Sequence, residues 1–238
     1  MIYYYTIFEK SMVYSKQTYY GVNTMEVTEK VTNIIEGLKA LYPDALCALQ
    51  YKKDYELMIA VRLSAQCTDA RVNQITPALF AAYPTLESFA EADIADVEEL
   101  VRSCGFYHHK ARDIVLACRM LLSDFGGKVP DNMEDLLKLP GVGRKTANLL
   151  LGDIYGQEGY VCDTHCIRIC GKLGLSRGKD PVKVEMQLRQ VIPPEESSDF
   201  CHRIVLHGRA VCTARNPKCS QCTLAPFCDF FTGTGAEA

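Results

Sequence analysis

Apolar residues recur at helical spacing along most of the chain. From Met25 onward, Val27, Val31, Ile34, Ile35, Leu38 and Leu41 fall on one side of a 3.6-residue repeat. The stretch "DYELMIAVRLSAQ", Asp54 to Gln66, is apolar almost all round, which predicts a buried central helix. "TDARVNQITPALFAAYP" opens on a Thr/Asp cap and stops before Pro84, "HHKARDIVLACRMLLSDFGG" runs into a glycine stop, and "DNMEDLLKL" is capped by Asp131 or Asn132. Short helices follow to about Val211. Few runs alternate with the period of two that marks a half-buried strand, so the predicted fold class is all-α.

That pattern is missing from the first 24 residues, which hold six of the thirteen tyrosines and no sustained amphipathic period. They read as an extension outside the fold, with Met25 as an alternative start; a Tyr-rich strand is the competing reading.

Composition narrows the class. With 238 residues, 48% of them hydrophobic, the chain can bury one large core or two small ones. Twelve cysteines would suggest disulfides in a short secreted protein. The N-terminus, however, lacks a charged head, apolar run and small-residue cleavage site, so the expectation is reduced thiols in a cytoplasmic protein. No run is long and apolar enough for a membrane span, and no membrane partner is expected. The net charge of −3 conceals a segregation. Leu86 to Leu100 holds six acids and no base, whereas Gly141 to Lys218 holds twelve Lys or Arg against eight Asp or Glu. A basic second half suits a phosphate-bearing partner; two ordinary solvated faces would look the same.

The first chemical motif is "LPGVGRKTA", Leu139 to Ala147. Pro140 resists continuing one helix, while Gly141 and Gly143 permit a tight hairpin into the next. The amides at the start of that second helix, with Arg144 beside them, form an anion site suited to one DNA phosphate. This is the helix-hairpin-helix pattern. Lys145 follows it, and Asp163 in "VCDTHCIRI" comes eighteen residues later at the start of another helix. A carboxylate there feels the positive helix end, stays ionised and can face an amine across a cleft; the plainer reading of Asp163 is a helix N-cap. Together they suggest an amine nucleophile and an anionic partner beside a phosphate anchor. Attack on a sugar C1′ expels the base, and the Schiff base that results allows elimination of the 3′ phosphate.

At this point the chain resembles the endonuclease III family of helix-hairpin-helix DNA glycosylases with AP-lyase activity. The resemblance runs from about Met25 to Phe230 and rests on "LSAQCTDARVN", "LPGVGRKTAN", "VCDTHCIRI", "LHGRAVC" and the terminal cysteines, in order. It implies a six-helix domain at about 47–157 and an iron–sulfur cluster domain from 25–46 plus 158–230, with 231–238 as a tail. The active site would lie in the cleft between the domains. It implies Lys145 as nucleophile, Asp163 as catalytic carboxylate, and duplex DNA containing damaged bases, notably oxidised pyrimidines, or abasic sites as partner of a monomeric enzyme. Cys212, Cys219, Cys222 and Cys228, spaced C-x6-C-x2-C-x5-C, match the family's [4Fe-4S] loop. A zinc site competes, though zinc ribbons usually present two close pairs and here there is one. The loop "TARNPK" offers Arg215 and Lys218 to the DNA backbone. Gln66 matches the family's residue inserted into the vacated base stack, and Phe106 stands where a second, usually aliphatic, wedge is expected.

The other eight cysteines read as apolar core residues rather than a second metal site. His108 and His109 are expected near DNA without a catalytic role. Two further functions compete. Adenine-specific mismatch glycosylases share the hairpin, aspartate and four-cysteine loop, but lack the lysine and carry an added C-terminal domain. A noncatalytic hairpin module would leave Lys145, Asp163 and Gln66 together unexplained.

Overall fold

The computed structural model describes residues 24–233, and among these every regular element is helical. Twelve α-helices follow in order, joined by short single-turn 3-10 segments. They are α1 (Thr24–Leu41), α2 (Asp54–Ser64), α3 (Asp69–Ala82), α4 (Leu86–Glu91), α5 (Ile94–Val101) and α6 (Tyr107–Asp124). Then come α7 (Met133–Leu136), α8 (Arg144–Tyr155), α9 (Thr164–Leu173), α10 (Pro181–Val191), α11 (Ser197–Ala210) and α12 (Asp229–Thr232). The all-α expectation therefore stands. The Tyr-rich start falls outside the described residues. Among the described residues no helix is long and apolar enough to cross a membrane.

The caps are where the side-chain chemistry put them. Thr68 accepts from the Arg71 amide, Asn132 from the Asp135 amide and Asp163 from the Cys166 amide, each satisfying a donor at a helix start. Gly126 and Gly127 both take the left-handed conformation that closes α6.

Apolar side chains gather into two cores. One is built on α2, whose Leu57, Met58, Ile59, Ala60, Val61 and Leu63 are all buried, and takes in residues from Leu49 to Leu151. The other joins Val31, Ile34, Ile35 and Leu38 of α1 to α9, α10 and α11 through Ile169, Leu173, Val184, Leu188, Phe200 and Ile204. Six of the eight non-terminal cysteines are buried, and Cys162, Cys166, Cys170 and Cys201 belong to the second core; Cys47 and Cys67 are half-buried.

Helix α8 serves both cores. Leu150 and Leu151 are buried in the first, and Leu149 packs against both. Its other side meets residues 159–162 at backbone range. Asn148, buried, accepts from the Tyr160 amide at 3.2 Å. Gly159 lies so close that a Cβ there would sit 2.4 Å from the Asn148 carbonyl oxygen. Gly152 likewise leaves no room against Ser198 of α11. Hydrogen bonds reinforce the joint: Asp153 of α8 accepts from His202 at 2.8 Å and Ser198 at 3.3 Å. Arg144 grips Glu185 of α10 with two donors, at 2.6 and 2.8 Å.

Because the atom opposing Gly159 is backbone, it cannot rotate away. Gly159→Ala is expected to destabilise the protein by about 2 kcal/mol or more through overpacking. Chemical denaturation checks this, and an unchanged midpoint would mean the joint is looser than its distances indicate.

Candidate active site and DNA-facing loops

The hairpin between α7 and α8 is held from beneath. Gly141 has φ +76°, and a Cβ on it would lie 2.5 Å from Nε and 2.6 Å from Cδ of Arg62. Arg62 is itself fixed, donating from Nε and Nη2 to Asp113 of α6 at 3.0 and 2.6 Å. Gly143 is different. It is the N-cap of α8, in extended backbone (φ −100°, ψ 175°), with no side-chain cap, and a Cβ on it would meet nothing within 4 Å. The sequence reading gave both glycines the turn; only Gly141 needs to be glycine for it. Gly143 leaves the first amides of α8 uncapped and facing open space, which is the condition for an anion to approach.

Arg144, expected at the DNA, donates from Nε and Nη2 to Glu185. Lys145, next along, is exposed, and among the described residues no hydrogen bond or ion pair engages its ammonium group. It sits in the first turn of α8, three residues before Asn148, as Asp163 sits three residues after Tyr160. The Asn148–Tyr160 hydrogen bond therefore joins the stems that carry the two groups. Asp163 is half-buried and caps α9, accepting from the Cys166 amide at 2.8 Å.

His165, the second residue of α9, feels both. Burial is the main cause that lowers its pKa; Asp163 raises it, while Arg168, Arg209 and Lys145 lower it further. Burial thus holds the imidazole pKa below the ordinary histidine value, and the charges of both the candidate amine and the candidate carboxylate bear on it. Gly208 of α11 makes this possible, since a Cβ there would lie 2.4 Å from His165 Nδ1. Sequence reading passed over Gly208, His165 and Asn148. A glycine inside a helix and a polar residue on the buried side of α8 were the available signals.

Gln66 and Phe106 share a property no other non-glycine shows among the described residues: positive φ, at 54° and 48°. Left-handed backbone at such residues costs on the order of 1–3 kcal/mol each and clusters at functional loops. Both side chains are exposed, Phe106 to 64%. His108 pairs with Glu98 at 2.6 Å, and His109 is exposed.

The four terminal cysteines line one pocket with about 390 Å³ of empty space, its solvent mouth included, together with Ile169, Leu173, Leu224 and Ala225. Among the described residues no three His, Cys, Asp or Glu converge closely enough to hold a single metal ion. Four thiols lining one pocket supply the one thiolate per iron that a [4Fe-4S] cluster takes. Their surroundings are donor-rich: Arg168 donates to the Cys212 carbonyl and reaches its Sγ at 3.7 Å, and His207 Nε2 lies 3.5 Å from Cys222 Sγ. Arg215 and Lys218, in the loop between the first two cysteines, are exposed; Lys218 donates to the Ala210 carbonyl at 3.1 Å.

Comparison with known proteins agrees with this geometry. The model of HhH-GPD superfamily base excision DNA repair proteins matches residues 59–194, and that of the iron-sulfur binding domain of endonuclease III matches 212–228. Endonuclease III of Synechocystis sp. is 46% identical over 201 residues, 84% of this chain and 92% of that protein. A solved structure of a trapped endonuclease III–DNA covalent intermediate superimposes with a TM-score of 0.81 at 38% identity, covering 87% of this chain and 98% of that one. A non-covalent endonuclease III–DNA complex superimposes equally, at 0.81 and 38%.

The two hairpin glycines separate stability from binding. Gly141→Ala is expected to cost about 1–3 kcal/mol in urea melts, from left-handed strain and the clash with Arg62. Gly143→Ala is expected to melt within about 0.5 kcal/mol of the parent. It should nonetheless raise the DNA dissociation constant about tenfold at fixed salt in fluorescence anisotropy, by obstructing the amides.

Proposed function

The chain belongs to the endonuclease III family of base-excision DNA repair enzymes, and we propose that Lys145 is the nucleophile and Asp163 the carboxylate of its combined DNA glycosylase and AP-lyase reaction. The observation that carries this is the pair of stems, α8 and the segment at Gly159 and Tyr160, locked by Asn148 and Gly159, with the charges of both groups bearing on the His165 pKa. The substrate is duplex DNA with an oxidised pyrimidine or an abasic site, met by a monomer in the cytoplasm beside the DNA. The cleft lies between a domain of about 47–157 and one of 25–46 plus 158–230.

The chemistry follows from the groups. The base must leave the stack to be reached, with Gln66 and Phe106 entering the gap. The uncapped amides after Gly143 receive a phosphate, which sets the register of the strand. Lys145, as the free amine, attacks C1′; the C–N bond to the base breaks, and the base departs with a proton. Asp163, anchored by the Cys166 amide, stabilises the positive charge developing on the sugar. The iminium that forms acidifies the C2′ proton. Its removal expels the 3′ phosphate and cuts the strand, and water then releases the lysine.

The enzyme carries a [4Fe-4S] cluster, for which we assign Cys212, Cys219, Cys222 and Cys228 as ligands. When bound, the cluster supplies iron–thiolate bonds that tie down a segment with few apolar contacts of its own. Arg215 and Lys218, presented by that segment, reach the DNA backbone. Base removal draws on no redox step.

Borohydride trapping on a duplex with one thymine glycol tests the nucleophile. A covalent protein–DNA band is expected that disappears in Lys145→Ala while DNA binding persists; a band that survives would move the nucleophile elsewhere. Asp163→Asn separates cap from chemistry. Asn caps a helix about as well as Asp, so stability should hold within about 0.5 kcal/mol. Excision should fall about a hundredfold or more for want of the charge, and equal rates would leave Asp163 a cap only.

A further inference from the structure

We propose that Lys110 is a positioning residue for base extrusion, its ammonium group fastening the two base-inserting loops to one point. This rests on the insertion roles given above to Gln66 and Phe106. Lys110 lies in the first turn of α6 and is 1% exposed. Among the described residues no carboxylate pairs with it. Its Nζ donates to the Leu63 carbonyl at 2.8 Å and the Cys104 carbonyl at 2.6 Å. Leu63 stands three residues before Gln66, and Cys104 two residues before Phe106. One buried cation thus ties together the stems of two loops that are far apart in the chain.

A role in core packing alone accounts poorly for this arrangement. Burying an ammonium group without a counter-charge is costly, and a methionine of similar length would fill the space without that cost. Burial does lower the Lys110 pKa, opposed by the Cys104 and Cys67 thiols and aided by Arg62, the titratable and charged groups facing it. What the lysine uniquely supplies is two donors directed at two loops. Those loops also contain both left-handed non-glycine residues among the described ones. Strained backbone persists only where its surroundings over-determine it, and Lys110 is the shared restraint. On this view the Gln66 and Phe106 side chains are presented together, so that one DNA approach seats both.

The test compares Lys110→Met, Lys110→Gln and Lys110→Arg in the cluster-bound enzyme, with Gln66→Ala and Phe106→Ala as references. Three readings are taken: the single-turnover excision rate on a thymine glycol duplex, strand cleavage at a preformed abasic site, and fluorescence of a 2-aminopurine placed opposite the lesion. Lys110→Met is expected to slow excision about tenfold or more and to suppress the fluorescence rise, while abasic-site cleavage changes less than about threefold. Lys110→Gln, with one or two donors left, should fall between, and Lys110→Arg should recover most of the loss. Combining Lys110→Met with Phe106→Ala should slow excision little beyond the slower single variant, because both act on one event.

Equal loss of both activities, in step with lowered melting temperature, would make Lys110 a stability element and overturn the proposal. So would unchanged excision in a folded Lys110→Met. Should that variant not fold, Lys110→Gln and Lys110→Arg carry the same comparison. If Gln66→Ala and Phe106→Ala both leave excision intact, the insertion reading fails, and the proposal falls with it for a reason separate from Lys110.

Discussion

The chemistry depends on two stretches of backbone lying closer together than side chains would allow. Helix α8 and residues 159–162 meet where Gly159 and Gly152 have no Cβ to hold them apart, and Asn148 bridges them by accepting from the Tyr160 amide. One stretch leads back to Lys145 and the other forward to Asp163. Small residues set how near the two stems come, and one buried amide sets their register. Losing that amide would strand the Tyr160 N–H in the interior, a penalty of about 1–3 kcal/mol. The geometry proposed for catalysis and the joint between the two cores are therefore one feature, and neither can relax without the other.

A second polar seam, between α2 and α6, supports the surface that meets DNA. Lys110 and Asp113 are one turn apart on α6. Lys110 holds the carbonyls leading to Gln66 and Phe106, while Asp113 holds Arg62, on which Gly141 rests. A buried ammonium group and a half-buried carboxylate thus lie under the Gln66 and Phe106 loops and the hairpin proposed to take a phosphate. Apolar packing would fill the same volume without directional preference. Hydrogen bonds to loop carbonyls fix where a turn begins, so a chain that must present three loops in one register gains from directional contacts despite their desolvation cost.

The helices were legible because their signals are local. Thr68, Asn132 and Asp163 each cap within three residues of their own position, and α2 betrays its burial by being apolar all round. The hairpin was legible for the same reason, Pro140 and Gly141 being adjacent. What pattern could not supply is long-range pairing. Nothing near Arg144 announces that Glu185, forty-one residues on, takes its donors, or that Gly208 exists to admit His165. Lys110 was hidden most completely. A lysine near the start of a helix reads as solvated, and its acceptors are backbone carbonyls, which carry no residue identity.

Gly143 follows the opposite logic. Elsewhere a glycine is explained by what would collide with its Cβ, as Gly141 is by Arg62 and Gly159 by the Asn148 carbonyl. At Gly143 nothing would collide, its backbone conformation suits any residue, and a Ser or Asp there would cap α8 and stabilise it. Such a cap would put its own oxygen on the amides proposed to receive a phosphate. The chain thus forgoes about 1 kcal/mol of helix stability at the one cap position where satisfying the amides internally would close the site. It takes the reverse course at Asp163, which caps α9 fully and keeps its carboxylate. There a single side chain can satisfy the helix with one oxygen and leave the other free, an arrangement open to a carboxylate that is to stabilise a cation, as proposed for Asp163, and closed to any side chain competing with an anion.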